Sequence, residues 1–183
     1  YTNSRIDNNI FEGKFKGEES PTFPHKTSEL RKKNGNFSHL KYIPAGNTFT
    51  VDFAKQAILS ENLGKGEVTD FLALSFSSTD YVGHRYGVYA LETEDTYLRL
   101  DKDLEGFFSF LDSNIGKGKY TLFLTADHAV VPVPSYLQSL KIPAHYFNTK
   151  AFKKYVDSIT TKYFKSDALV ENFSNNQIFL NKE

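Results

Sequence analysis

The 183-residue sequence contains no cysteine, no methionine and no tryptophan. Without cysteine there can be no disulfide framework and no thiolate metal site, so any metal must be held by oxygen and imidazole nitrogen. The same absence fits a reducing or an oxidising compartment. Without methionine, the start codon and any targeting segment behind it are expected to lie outside this sequence. An excess of either charge is missing too: 22 basic and 22 acidic side chains balance and are interspersed. No long-range field gathers nucleic acid or an anionic membrane, so neither is expected as a partner, and an anion has to be captured locally. No apolar run approaches the roughly 20 residues that cross a bilayer. Aromatic residues are abundant instead, with 17 Phe and 11 Tyr, and core packing is the first reading for most of them. The length suits one ordinary domain.

Residues 1–46 alternate turn formers, charges and isolated aromatics without a sustained period, and are read as a surface connection or the remnant of an insert. The basic cluster Arg31, Lys32 and Lys33 is read as a solvated face. From Asn47 or Thr48, a surface helix is expected with Phe49, Phe53, Ala57 and Leu59 near one face, ended by Gly64 and Gly66. Asp70 to Ser77 is a short apolar run that predicts a buried strand. Glu92, Glu94 and Asp95 then open an amphipathic helix that carries Tyr97, Leu100, Leu104, Phe107, Phe108 and Leu111, closed by 114–118. Tyr120 to Thr125 predicts a second buried strand, and strand, helix, strand is the order of a parallel α/β sheet. Three prolines, Pro132, Pro134 and Pro143, make the next stretch irregular. A helix around Phe152, Tyr155, Val156, Ile159 and Tyr163 and a strand over 177–181 follow.

Ligands of open α/β sheets bind beyond the carboxyl ends of the strands, and both expected strands end in metal-type ligands. The first runs into Ser77-Ser-Thr-Asp80-Tyr-Val-Gly-His84 and the second into Thr125-Ala-Asp127-His128. A carboxylate and an imidazole from each suit zinc or a similar divalent ion. Gly83 is read as the freedom for a turn that aims Asp80 and His84 inward. Asp127 and His128 are adjacent, so a continuous strand would face them apart and the strand must end or kink there. Either pair alone reads more simply as a helix cap with a hydrogen-bonded His. Two pairs at equivalent strand ends favour two ions about 4 Å apart, the arrangement that promotes in-line phosphoryl transfer. Two ions need about three protein ligands each when a catalytic position stays open, so at least two further ligands are expected outside this chain. His25, His39 and His145 have no carboxylate at ligand spacing and are read as structural or surface residues. The hydroxyls of Ser77, Ser78 and Thr79 lack an evident base and are not named catalytic.

At these motifs the sequence resembles the alkaline phosphatase superfamily, in its phosphodiesterase and nucleotide pyrophosphatase branch. The matching text is 75–84, Glu94-Asp-Thr-Tyr-Leu-Arg-Leu-Asp101, 116–128 and Lys141-Ile-Pro143. The resemblance implies an α/β, mainly parallel sheet flanked by helices, here truncated, with residues 47–183 forming part of the catalytic domain. It implies two zinc ions, one at Asp80 and His84 and the other at Asp127 and His128. It also implies that the nucleophile and the phosphate-binding groups lie upstream, that the fragment alone is inactive, and that the parent acts on a small-molecule phosphate ester in the periplasm or outside the cell. Alkaline phosphatase activity is the leading expectation. A phosphodiesterase, or a non-catalytic relative acting as a binding protein, is the alternative. One departure is visible: the family continues the second pair with glycine, and this chain has Ala129, which restricts positive φ.

Overall fold

The computed structural model describes residues 7–166, 168–175 and 177–181, which fall into two compact units, Tyr1–Leu140 and Lys141–Glu183. In the first unit, α1 (Thr27–Leu30) leads through 3₁₀ segments Arg31–Lys33 and Asn36–Tyr42 into α2 (Ala45–Ser60). There follow α3 (Ser77–Tyr86), α4 (Leu91–Leu111), a π-helical turn Asp112–Gly116, and α5 (Pro134–Ser139). Pro134 stands at the start of α5, where its missing N–H leaves no bond unmade, so a segment expected to be irregular forms a short helix.

The α2 helix forms, but the face expected to carry its apolar stripe is the outer one. Phe49 and Phe53 are 65% and 70% exposed, while Asn47, Val51, Ala54 and Ile58 are buried. Both stripes have helical spacing, and the smaller one wins because Ala54 and Val51 let α2 approach α4 closely. There Val51, Ala54, Ile58, Phe107 and Leu111 form one core cluster, joined by the half-buried Phe108, Ile115 and Tyr120.

A second cluster overturns the reading of 1–46 as a surface connection. Phe15 and Leu30 pack with Val82, Tyr86 and Ala90. Isolated aromatics without a period conceal this role, because a segment that wraps around helices buries single side chains instead of a stripe. His25 completes the wrap: Nδ1 lies 2.6 Å from Glu18 Oε1 and Nε2 lies 3.0 Å from Glu92 Oε1. The structural role expected for this histidine is thus a buried bridge from the N-terminal segment to the first turn of α4. Burial alone would lower its pKa, but the hydrogen bonds to Glu92 and Glu18 prevail and hold it above the usual histidine value. Close by, burial and the charge of Glu92 push Glu12 up to about 7.

Of the two expected buried strands, Asp70 to Ser77 and Tyr120 to Thr125, Ser77 already belongs to α3, and segments 69–76 and 119–126 run without regular structure and carry no sheet ladder among the described residues. Phe71, Phe123 and Leu124 are 86%, 84% and 74% exposed. An apolar run reports that a segment is suited to a sheet interior, but a strand is completed only by hydrogen bonds from its neighbours. Between these segments and α4 lies an open trough of about 2140 Å³, lined in part by Leu74, Tyr97, Leu104 and Leu122.

In the second unit, α6 (Thr149–Phe164) starts where the Asn148 side chain accepts the Ala151 N–H at 2.9 Å, a helix cap. Its expected apolar face stays largely open, with Tyr155 and Tyr163 64% and 67% exposed. The expected last strand is present as β2 (Gln177–Leu180), paired antiparallel with β1 (Val170–Ser174). It therefore belongs to a hairpin and not to a parallel sheet. Phe147, Phe152 and Phe173 pack together in this unit.

Two outcomes are expected in the full-length protein. Phe107→Ala, which empties a buried site between α2 and α4, should lower unfolding free energy by about 3–5 kcal/mol in urea titration, whereas Phe49→Ala should change it by less than about 0.5 kcal/mol. For the His25 bridge, the folded pKa values of Glu12 and His25 are both raised. Their stabilisation is complete at low pH and is lost as pH rises, between 4.5 and about 7 for Glu12 and upward from 6.5 for His25. Glu12→Gln should flatten the first part of that fall, measured as the unfolding midpoint against pH.

Candidate metal centre

The rotation of α3 decides where its ligands point. Ser78, Val82 and Tyr86 are buried at a spacing of four, against the N-terminal segment and α2. Residues two positions on are turned by roughly 200°, so Asp80 and His84 share the opposite face. The expected turn at Gly83 is absent; Gly83 lies inside the helix, and the i,i+4 spacing alone brings the two ligands together. His84 Nε2 lies 3.4 Å from Asp80 Oδ1.

The second pair arrives from the end of segment 119–126. His128 Nε2 lies 3.7 Å from the same Asp80 Oδ1 and 3.5 Å from Asp127 Oδ2. Asp80 Oδ1 thus lies near both His84 and His128, and Asp127 lies beside His128. The chain bends after Ala126, as adjacent Asp and His require if both are to face one site, and the Asp127 side chain accepts the His128 N–H at 3.1 Å. His128 Nδ1 lies 3.0 Å from the Ala129 carbonyl oxygen. A carbonyl only accepts, so the proton sits on Nδ1 and the Nε2 lone pair is turned toward Asp80. This bond is the first cause raising the His128 pKa, with the charge of Asp127 next. Ala129 is not among the described residues with positive φ, so the substitution for glycine imposes no backbone strain.

Among the described residues, no three His, Asp or Glu side chains are already arranged to hold a single ion. The donor set nonetheless suits divalent cations. Asp80 Oδ1 is inaccessible to solvent and has no hydrogen-bond partner, although it faces two imidazole nitrogens. Oxygen and imidazole donors without sulfur are the set for zinc or a similar ion. The neighbouring hydroxyls are otherwise engaged: Thr79 Oγ1 donates to the Phe76 carbonyl, Ser75 and Ser77 share a bond at 3.1 Å, and Ser78 is buried. His145 is exposed, and His39 is buried against the Phe15 ring at a centroid distance of 4.2 Å. Sequence reasoning passed over Arg85, Tyr42 and Phe15, which stack beside this site, because contacts between distant aromatic and basic residues leave no local spacing to read.

The profile of the family described as type I phosphodiesterase / nucleotide pyrophosphatase matches residues 3–175. A Myroides odoratus protein named calcium-transporting ATPase is 48% identical over 185 residues, covering 100% of this chain and 34% of the relative. Alkaline phosphatase PhoV of Synechococcus elongatus is 53% identical over 143 residues, covering 78% of this chain and 26% of the relative. Alkaline phosphatase PafA of Elizabethkingia meningoseptica is 37% identical over 183 residues, covering 100% of this chain and 33% of the relative. A crystal structure of PafA superposes with a TM-score of 0.85 at 37% identity, covering 98% of this chain and 34% of that one. The fold is accordingly alkaline-phosphatase-like α/β, and the chain spans about a third of the length of these relatives.

Proposed function

The chain belongs to the type I phosphodiesterase / nucleotide pyrophosphatase family, and from that membership we propose that the parent protein hydrolyses phosphate monoesters at a centre of two zinc ions. Asp80 and His84 would hold one ion, and Asp127 and His128 the other. The observation that carries this reading is the approach of His84 and His128, from two separate segments, to the same Asp80 Oδ1, with Asp127 beside His128. When bound, two such ions supply positive charge to a phosphate oxygen and to the attacking and leaving oxygens of an in-line displacement.

The residues of this chain supply placement. The packed face of α3 holds Asp80 and His84 at one rotation, and the Ala129 carbonyl fixes the His128 tautomer. The nucleophile is proposed to be carried by another part of the parent, which would leave this fragment inactive by itself. The substrate would be a small phosphate ester, and neither nucleic acid nor a membrane is proposed as a partner. Among the described residues no helix is long and apolar enough to cross a membrane, and export to the periplasm or beyond is proposed on the strength of the family. The family's own description favours a second reading, phosphodiester or pyrophosphate hydrolysis at the same metal centre.

In the full-length, zinc-loaded protein, His84→Ala or His128→Ala should reduce turnover of a phosphate monoester to the level left by a chelator. Turnover that survives either substitution unchanged overturns the metal assignment. Comparison of a monoester with a diester at equal enzyme concentration separates the two readings: a chelator-sensitive preference for the diester replaces the first with the second.

A further inference from the structure

We propose that Arg85 is a positioning residue for the metal ligands of α3: packed into the corner formed by the Phe15 and Tyr42 rings, it locks the rotation of the helix that carries Asp80 and His84. The inference rests on the two-zinc reading of those ligands. The guanidinium carbon lies 4.4 Å from the centroid of the Phe15 ring and 4.3 Å from that of Tyr42; the two rings stand at 73° with centroids 6.4 Å apart, so the cation packs into the corner they form. One terminal nitrogen donates to the Lys14 carbonyl at 3.0 Å. The Arg85 carbonyl in turn accepts the Gly13 N–H at 2.8 Å. Residues 13–15 thus grip both the side chain and the backbone of the residue that follows His84.

The grip has no slack on the backbone side. A Cβ at Gly13 would stand 2.6 Å from the Arg85 carbonyl oxygen, closer than real contacts allow, so only glycine permits this approach. The anchor itself is rigid, because Phe15 is 1% exposed and packs against Val82 and Tyr86, the buried face of the same helix. Turning α3 far enough to move Asp80 and His84 would drag Arg85 off both rings and break two hydrogen bonds. Tyr42 is held in its turn: its ring meets that of Tyr81 edge-on at 5.4 Å, and the Lys41 ammonium lies 4.6 Å from the Tyr81 centroid. Lysine in place of arginine keeps the charge but loses the planar fork that both stacks and donates.

The test measures zinc affinity by competition with a chromophoric chelator, together with monoester turnover, in the full-length protein carrying Arg85→Ala, Arg85→Lys, Gly13→Ala or His84→Ala. Residues that orient metal ligands are worth about 10–100-fold in metal affinity. Arg85→Ala is expected to weaken zinc binding within that range while kcat recovers at saturating zinc, with Arg85→Lys intermediate and Gly13→Ala shifted in the same direction. A lower melting temperature with unchanged zinc affinity in Arg85→Ala, while His84→Ala loses zinc, overturns the positioning role and leaves the metal centre standing. Unchanged zinc affinity in Arg85→Ala and His84→Ala alike overturns the metal centre and this role together. If Arg85→Ala does not fold, unchanged affinity in both Arg85→Lys and Gly13→Ala overturns the proposal, and a weakened affinity in either supports it.

Discussion

Burial of Ser78, Val82 and Tyr86 along one side of α3 is the constraint from which the candidate centre follows. A ten-residue helix has little stability of its own in water, so its orientation is set by what it packs against. Here that is a set of side chains drawn from the N-terminal segment, the 3₁₀ turns and α2. Gly46 shows how close the packing is, since a Cβ there would fall 2.1 Å from Ser78 Oγ. Once the inner face is chosen, helical geometry leaves Asp80 and His84 no choice but the outer one. The conspicuous aromatic content of residues 1–46 thereby acquires a purpose at a distance: it supports a helix whose other face carries Asp80 and His84.

The candidate pairs could be picked out of the sequence because they are local. Asp80 and His84 stand four apart and Asp127 and His128 stand side by side, and each pair follows an apolar run that suits a sheet interior. The helices α2, α4 and α6 were legible for the same reason, since amphipathic spacing survives in any context. What could not be read was decided by partners remote in sequence. Nothing near position 49 tells which of two stripes on α2 meets α4, and nothing near Phe15 or His25 announces that Val82 and Glu92 will cover them. The hairpin of Val170–Ser174 with Gln177–Leu180 was half read, because the second strand is apolar while Val170-Glu-Asn-Phe-Ser174 is mostly polar. Gly83 was misread for a different reason: glycine permits a turn but does not require one, and a helix stabilised by tertiary packing absorbs it at a cost of about 1 kcal/mol.

The trough and the metal centre are two aspects of one geometry. Segments 69–76 and 119–126 lead directly into the two ligand pairs, so whatever fixes those segments also fixes the distance between the pairs. One side of the pairing is set within the described residues, where α3 is packed against its neighbours. The other side depends on an extended segment whose Phe123 and Leu124 face solvent. Apolar surface of that size is unfavourable in water at about 25 cal/mol per Å². The same residues that make 119–126 suitable for a sheet interior therefore make its placement the softer half of the centre.

The electrostatics of the meeting point suit the proposed cation. Asp80 Oδ1 is shielded from water and lacks a hydrogen bond, although the side chain as a whole is 39% exposed. Asp127 adds a second carboxylate beside His128. The His128 ring is held by Ala129 in the tautomer that offers a lone pair, so in its neutral form it gives Asp80 no proton to accept. Packing of α3 and the Ala129 carbonyl hold these side chains in place, so an ion bound there, as proposed, would add its binding free energy to the stability of the folded chain.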